Sequence, residues 1–354
     1  MSTSHFQHLY LKPGQKPEFD PRVVDVAILD MNHGWPNVGH DAIVHSLREM
    51  AERLTPALEK AGLIIRALSY DVRRAGMLPE TPGRQFSLYI GTGGPGHLDP
   101  RENDGSSDGT QGIKEDPSWE APLFGLFQGV LDNDESSLFA VCHTFGIICR
   151  WTGAAEPALR GEDKGGKSTG IVENILTPEA LEHPFFSLYA AELPDHRHLR
   201  VIDNRLYDLI PGATIPSYIT PVGFETNQLG AQGEALTMME LARDRGGIMP
   251  RFFAVNHHPE ILDRQYIVGI IEAKFARGEV TEQWYQERIQ TLRETIEGDF
   301  DFFVRLTSSF TFLLPIEFQL TRLVRERAES LGFTVDLHEN DVIPDDDVAT
   351  AIAG

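Results

Sequence analysis

A chain of 354 residues with 41% hydrophobic and 24% charged residues has apolar material for one large core or two modest ones. Its 31 Lys and Arg against 53 Asp and Glu give a net charge of −22, which excludes general binding to nucleic acid or an anionic membrane surface. The two cysteines, Cys142 and Cys149, exclude a disulfide framework; no apolar run reaches the ~18 residues of a membrane span, and Met1 to His8 lacks a basic segment followed by an apolar one, so a cytoplasmic location is expected.

Residues 1–21, polar with several prolines and lysines, are expected to form an extended arm. Val23–Leu29 reads as a buried strand that ends in the turn-rich loop from Asp30 to Gly39. A helix is predicted from Asp41 to Ala61, with Ile43, Leu47, Met50, Leu54 and Leu58 on one stripe, and Gly62 stops it. Strands follow at Leu63–Leu68 and Phe86–Ile90, the second running into Gly91-Thr-Gly-Gly-Pro-Gly96. Strand, helix and strand at this spacing imply parallel βαβ units. Asp99 to Ala121 is polar and long for a connection, which makes it a functional flap or a disordered insertion.

Pro122–Leu131 reads as a helix leading into the strand Ser137–Val141, then Cys142, then a second helix. From Gly161 to Ala235, short strands at Gly170–Leu176, His198–Ile202, Leu206–Ile210 and Ser217–Phe224 suggest an antiparallel ribbon or small extra sheet. Phe252–Asn256 is a further strand, ending at His257-His258-Pro259-Glu260. After Gly278 the pattern is helical over Val280–Glu297 and Phe302–Leu331, interrupted at Pro315. Phe303, Leu306, Phe310, Leu313 and Leu314 mark an aromatic-rich stripe that either docks on the main domain or serves a dimer or partner. The tail with Asp345–Asp347 reads as loose and solvated.

The expected fold is α/β: an open, mostly parallel sheet in three layers with helices on both faces, a small antiparallel ribbon, and a C-terminal helical extension. The expected division is an arm over 1–21, a main domain over 22–278 and the extension over 279–354.

Cys142 carries the first chemical signal. A side chain on a sharp strand-to-helix turn stands above the sheet, where the helix's first N–H groups and dipole favour a thiolate. A thiol nucleophile needs a base and a group to orient that base. In extended backbone, positions two apart share a face, so Glu260 can hold the His258 imidazole while His258 withdraws the thiol proton. The loop Gly93-Gly94-Pro95-Gly96 offers N–H groups without side chains in the way, and the N–H of His143 is a second source for an oxyanion hole. Three strand ends then meet at one sheet edge, where open α/β folds bind ligands. The His143 side chain either shifts the thiol's pKa, touches the substrate or only packs.

Gly161-Glu-Asp-Lys-Gly-Gly166-Lys167-Ser168 satisfies the P-loop pattern, yet no buried strand precedes it and a strand follows, so no phosphate cradle is expected. His33, His40, His45, His257 and His258 do not fall at metal-ligand spacing; neither metal nor cofactor is expected. His45 and His257 read as surface or packing residues.

The order Gly94-Pro-Gly96, Ala140-Val-Cys142-His-Thr-Phe-Gly146 and His258-Pro-Glu260 resembles the class I, triad-type glutamine amidotransferases, over roughly residues 22–275. The Asp30 loop with Pro36-Asn37 is similar to that family's first loop. The resemblance implies Cys142 as nucleophile, His258 as base and Glu260 as its orienter. It also implies hydrolysis of glutamine's amide through a γ-glutamyl thioester, with ammonia passed to a synthetase. The family's nucleophile motif G-x-C-x-G-x-Q reads Ala140, Thr144 and Gly146 here, the last in place of the glutamine that helps hold the substrate. Asn204 lies in the segment His198–Leu206, which falls where the family grips the glutamine backbone. Gly146 and Asn204 are therefore the expected substrate-side positions.

Three readings follow. One is a glutamine-hydrolysing domain whose synthetase is a separate partner, docked, like a second copy of the chain, through the C-terminal helices. Another is a stand-alone hydrolase or transferase acting on a γ-glutamyl or other small amide. The third is a catalytically silent binding protein of the same fold.

Overall fold

The computed structural model describes residues 5–262, 264–295 and 302–343, so the acidic stretch Asp345–Asp347 lies outside the described residues. The segment read as an arm contributes β1 (Phe6–Tyr10) to the sheet. After β2 (Val23–Asp30), the single predicted helix is two, α1 (Val38–Arg53) and α2 (Thr55–Ala61). Asn37 moves the start forward, its side-chain oxygen accepting the Gly39 N–H at 2.8 Å. Pro56, in the first turn of α2, starts a new helix after Leu54.

Next come β3 (Ile64–Asp71), α3 (Val72–Ala75) and β4 (Phe86–Gly91). Beyond residues 97–119 lie α4 (Glu120–Asp132), β5 (Ser137–Val141) and α5 (His143–Thr152). The middle of the chain then supplies β6 (Glu156–Leu159), β7 (Ser168–Leu176), α6 (Pro178–Leu181), α7 (Phe186–Glu192), β8 (His198–Arg205) and β9 (Tyr207–Ile210). Three more strands, β10 (Thr220–Thr226), β11 (Gln232–Arg243) and β12 (Pro250–Val255), complete the set.

Ten strands form one sheet in the order β1-β3-β2-β4-β5-β12-β11-β10-β7-β8. The first six are parallel and the remaining pairings antiparallel. Most of the region from Gly161 onward therefore widens the main sheet, where a ribbon or separate small sheet was expected. The separate antiparallel pair is β6 with β9. In the main sheet β11, antiparallel to both β12 and β10, is not among the strands expected from the sequence. Ala235 to Leu241 are all buried, so the strand shows no polar alternation by which to recognise it.

The sheet carries a core on each face. Along β2, Val24, Val26 and Ile28 join a cluster with α1, α7 and the C-terminal helices, whereas Ala27 and Leu29 join one with α4 and α5. The C-terminal part comprises α8 (Arg264–Ala276), α9 (Glu282–Thr295), α10 (Phe302–Ser308) and α11 (Leu314–Ser330). A π-helical turn, Ser309–Leu313, joins α10 to α11 and takes the place of the break expected at Pro315. Widening the turn before a proline accommodates its missing N–H and its ring. Leu306 and Phe310 are fully buried against the sheet, with Phe303, Leu313 and Leu314 packed beside them. Leu306 and Phe310 of the aromatic stripe are thus covered by their own chain, whereas Phe303, Leu313 and Leu314 stay partly open; each fully buried side chain contributes about 1.5–3 kcal/mol. No helix among the described residues is long and apolar enough to cross a membrane.

Candidate active site

Cys142 sits between β5 and α5 with φ 48° and ψ −100°, a backbone conformation that L-residues occupy only when the surroundings enforce it. Its N–H donates to the Val255 carbonyl at 2.7 Å, which laces the end of β5 to the end of β12. Thr144 braces this turn. Its hydroxyl donates to the Thr92 carbonyl at 2.7 Å, and its side chain fills the space above Gly91, where a Cβ would collide with it.

β12 ends at Val255, and the turn beyond it carries His258 and Glu260. The His258 N–H donates to the Ile202 carbonyl of β8 at 2.8 Å, and its Nδ1 lies 2.9 Å from Glu260 Oε1. The other ring nitrogen, Nε2, is buried without an oxygen or nitrogen partner and faces the Cys142 thiol. Burial works against an imidazolium here, but the Glu260 charge and Cys142 outweigh it and hold the His258 pKa well above the ordinary 6.5. Glu260 is seated by α1: a Cβ on Gly39 would stand 2.5 Å from its Oε1, so the bare glycine makes the space for the carboxylate.

His257 packs on the side away from the cavity. Its Nε2 lies 3.2 Å from the Thr311 hydroxyl of the π-helical turn, and burial, then His258 and Arg205, lower its pKa to about 3. His45 lies on the outer part of α1 beside Glu49.

Gly93 abuts the pair. A Cβ there would meet His258 Cε1 at 3.0 Å and Cys142 Cβ at 3.4 Å. Gly94 packs so closely on the Met31 carbonyl that no side chain fits. Gly96, at φ +87°, spends its N–H on Gln111 Oε1 at 2.9 Å and has none to offer a substrate. Gln111 belongs to the 99–121 segment, which buttresses this loop. Glu115 accepts both arms of Arg73 at 2.7 Å, with both side chains fully buried. Arg73 also donates to the carbonyls of Met31 and Pro95, and Asn103 bridges Glu115 to His97.

A cavity of about 220 Å³ opens over these groups, lined among others by Cys142, His258, Gly93, Gly94, Gly96 and Asn204. His143 lines it too. Burial, then Arg73, hold its ring well below the ordinary pKa, against a hydrogen bond with the Gly94 backbone, so it is neutral and its Nε2 lacks a partner. Gly146 does not reach the cavity. The Leu98 side chain lies across it, 2.5 Å from where a Cβ would be, and lines the cavity in its stead. Sequence reasoning missed Leu98, Gln111 and Asn256, whose buried Nδ2 also lacks a partner. The only trace of Gln111 was the length of the 99–121 segment. The P-loop-like stretch forms a single 3₁₀ turn at Glu162–Lys164 and leads into the strand β7, so no α-helix follows it.

No protein-family model matches the sequence, and no curated protein matches it. Solved structures similar to the chain include a glutamine amidotransferase from Thermotoga maritima, with 16% identity and a TM-score of 0.46 over 84% of this chain and 98% of that one. A glutamine amido transferase from Methylobacillus flagellatus is similar at 12% identity and TM-score 0.42, over 88% and 93%. The glutaminase domain of CTPS from Trypanosoma brucei, with bound acivicin, is similar at 10% and 0.38, over 77% and 96%. Likeness at this level concerns the course of the chain and says nothing of the site's substrate.

Proposed function

We propose that the protein is a cysteine-dependent amide hydrolase with Cys142 as nucleophile, His258 as general base and acid, and Glu260 as the residue that orients and charges His258. The observation that carries this is the strained Cys142 facing the unpartnered Nε2 of a histidine whose Nδ1 is held 2.9 Å from a buried carboxylate. His258 takes the thiol proton and the sulfur adds to the amide carbon. The N–H groups of Gly94 and His143 receive the oxyanion. His258 returns the proton to the leaving nitrogen, ammonia or an amine departs, and an acyl thioester remains. Water, deprotonated by His258, attacks that thioester, releases the acid and restores the thiol.

The sequence resemblance makes glutamine the first substrate to test, with ammonia passing to a separate synthetase. The Leu98 side chain over Gly146 favours the second reading, a hydrolase or transferase on another γ-glutamyl or related amide, because an apolar wall stands where an amide would hold glutamine. Ammonia and amine release from glutamine and from γ-glutamyl anilides, with Cys142→Ala as control, tests both. Release from glutamine supports the first reading, and release from the anilides alone the second. A thiol-independent rate, or none with any amide, contradicts both.

A further inference from the structure

Two cations in the cavity have no part in this chemistry. Lys167, at the end of the P-loop-like stretch, and Arg288 of α9 both line the space that holds Cys142. Among the described residues neither lies within ion-pair distance of a carboxylate. The Arg288 guanidinium stands 5.7 Å from the centre of the Trp284 ring, which is also part of the lining.

The acidic groups nearby are already engaged. Asp203 accepts from Ser168 Oγ at 2.6 Å and lies 3.2 Å from an Arg205 nitrogen, while Arg205 is bound in turn by Asp208 and Glu225. Glu260 is held by His258. Part of Lys167 is open to solvent, yet loss of solvent and then Arg288 lower its pKa, opposed by Cys142 and Asp203. Burial likewise lowers that of Arg288, opposed by Glu287. Two like charges held together in a partly dry cavity repel unless an anion joins them. In a chain of net charge −22 such a pair runs against the prevailing field. The aromatic face of Trp284 and the side chains of Ile267 and Ile271 supply an apolar wall for a hydrocarbon stem.

We propose that the substrate carries, besides its scissile amide, a carboxylate or phosphate group that Lys167 and Arg288 bind, so that the amide is presented to Cys142 from this anchor. The proposal rests on Cys142 being the nucleophile. It makes Lys167 and Arg288 the residues that choose among amides, a role that Leu98 has closed to Gly146.

Iodoacetate and iodoacetamide share one reactive carbon and differ by a charge. The ratio of their Cys142 alkylation rates, taken within one protein, therefore reads the pocket's charge whatever the thiol's own reactivity. We expect the iodoacetate-to-iodoacetamide ratio to fall roughly tenfold in Lys167→Gln and again in Arg288→Gln. Glutarate or inorganic phosphate should protect Cys142 of the unmodified chain saturably, protection by glutarate alone assigning a carboxylate and by phosphate alone a phosphate. A ratio unchanged by both substitutions overturns the anionic site, with or without protection, while fast iodoacetamide alkylation leaves the nucleophile standing. Slow alkylation of Cys142 by both reagents overturns the catalytic reading and this proposal with it.

Discussion

At the scale of single residues, the proposed chemistry depends on charge placed around one imidazole. Glu260→Gln keeps the shape of the side chain and removes the charge that raises the His258 pKa. Amide turnover should fall about 10²-fold or more, and the ring should lose its proton at lower pH when followed by NMR titration. The sign for stability is fixed by the raised pKa. The contribution is complete below about 6.5, the unfolded value, and is lost as pH rises through the folded value, so the variant should lose less stability above pH 6.5 than the parent. Gly146→Gln tests the substrate side. The new side chain must displace Leu98, so it should cost about 1–3 kcal/mol in denaturant unfolding and add no glutaminase activity, with Leu98→Ala restoring much of the stability. Cys142, His258 and Glu260 were legible because each ends a strand or stands two residues from its partner. Leu98 and Gln111 were not, because one stands just before and the other within a long polar segment whose path only tertiary contacts determine.

At the scale of elements, residues 99–121 form a buttress. Glu115→Ala strands the Arg73 guanidinium in a fully buried position, where an unmatched charge costs about 3–5 kcal/mol. Because Arg73 also holds the Met31 and Pro95 carbonyls, the Gly93–Gly96 loop should loosen. Limited proteolysis should cut within 99–121 in the variant, and thiol-dependent turnover should drop; uncut chain with full activity would refute the buttress. The parallel half of the sheet could be read from strand, helix and strand spacing. In the antiparallel half β7, β8 and β10 could be read as strands but their joining to the main sheet could not, since β11 is buried on both faces and its register comes from β12 and β10. Helix α8 escaped as well, because only a narrow seam, Ile267 and Ile271, meets the small cluster with Ala42 and Ile289.

At the scale of the whole molecule, three histidines whose pKa is lowered by loss of solvent contribute to the response to acid. Burial, then His40, lowers the His8 pKa to about 4, burial lowers His257 to about 3, and His143 is held well below 6.5. Between pH 6.5 and about 4 the unfolded chain binds these protons and the folded chain does not, so stability should fall with pH across that window. Denaturant midpoints at pH 7 and pH 4.5 check this, and His257→Gln should flatten the slope. The same packing brings three strand ends, β4, β5 and β12, to one edge, and the central claim is that their meeting makes Cys142 a nucleophile. The most direct measurement is its iodoacetamide alkylation rate at pH 6, mapped by mass, against free N-acetylcysteine. The expected result is a rate at least about tenfold above the free thiol that collapses in His258→Ala. A rate no faster than the free thiol, or one indifferent to His258, would contradict it.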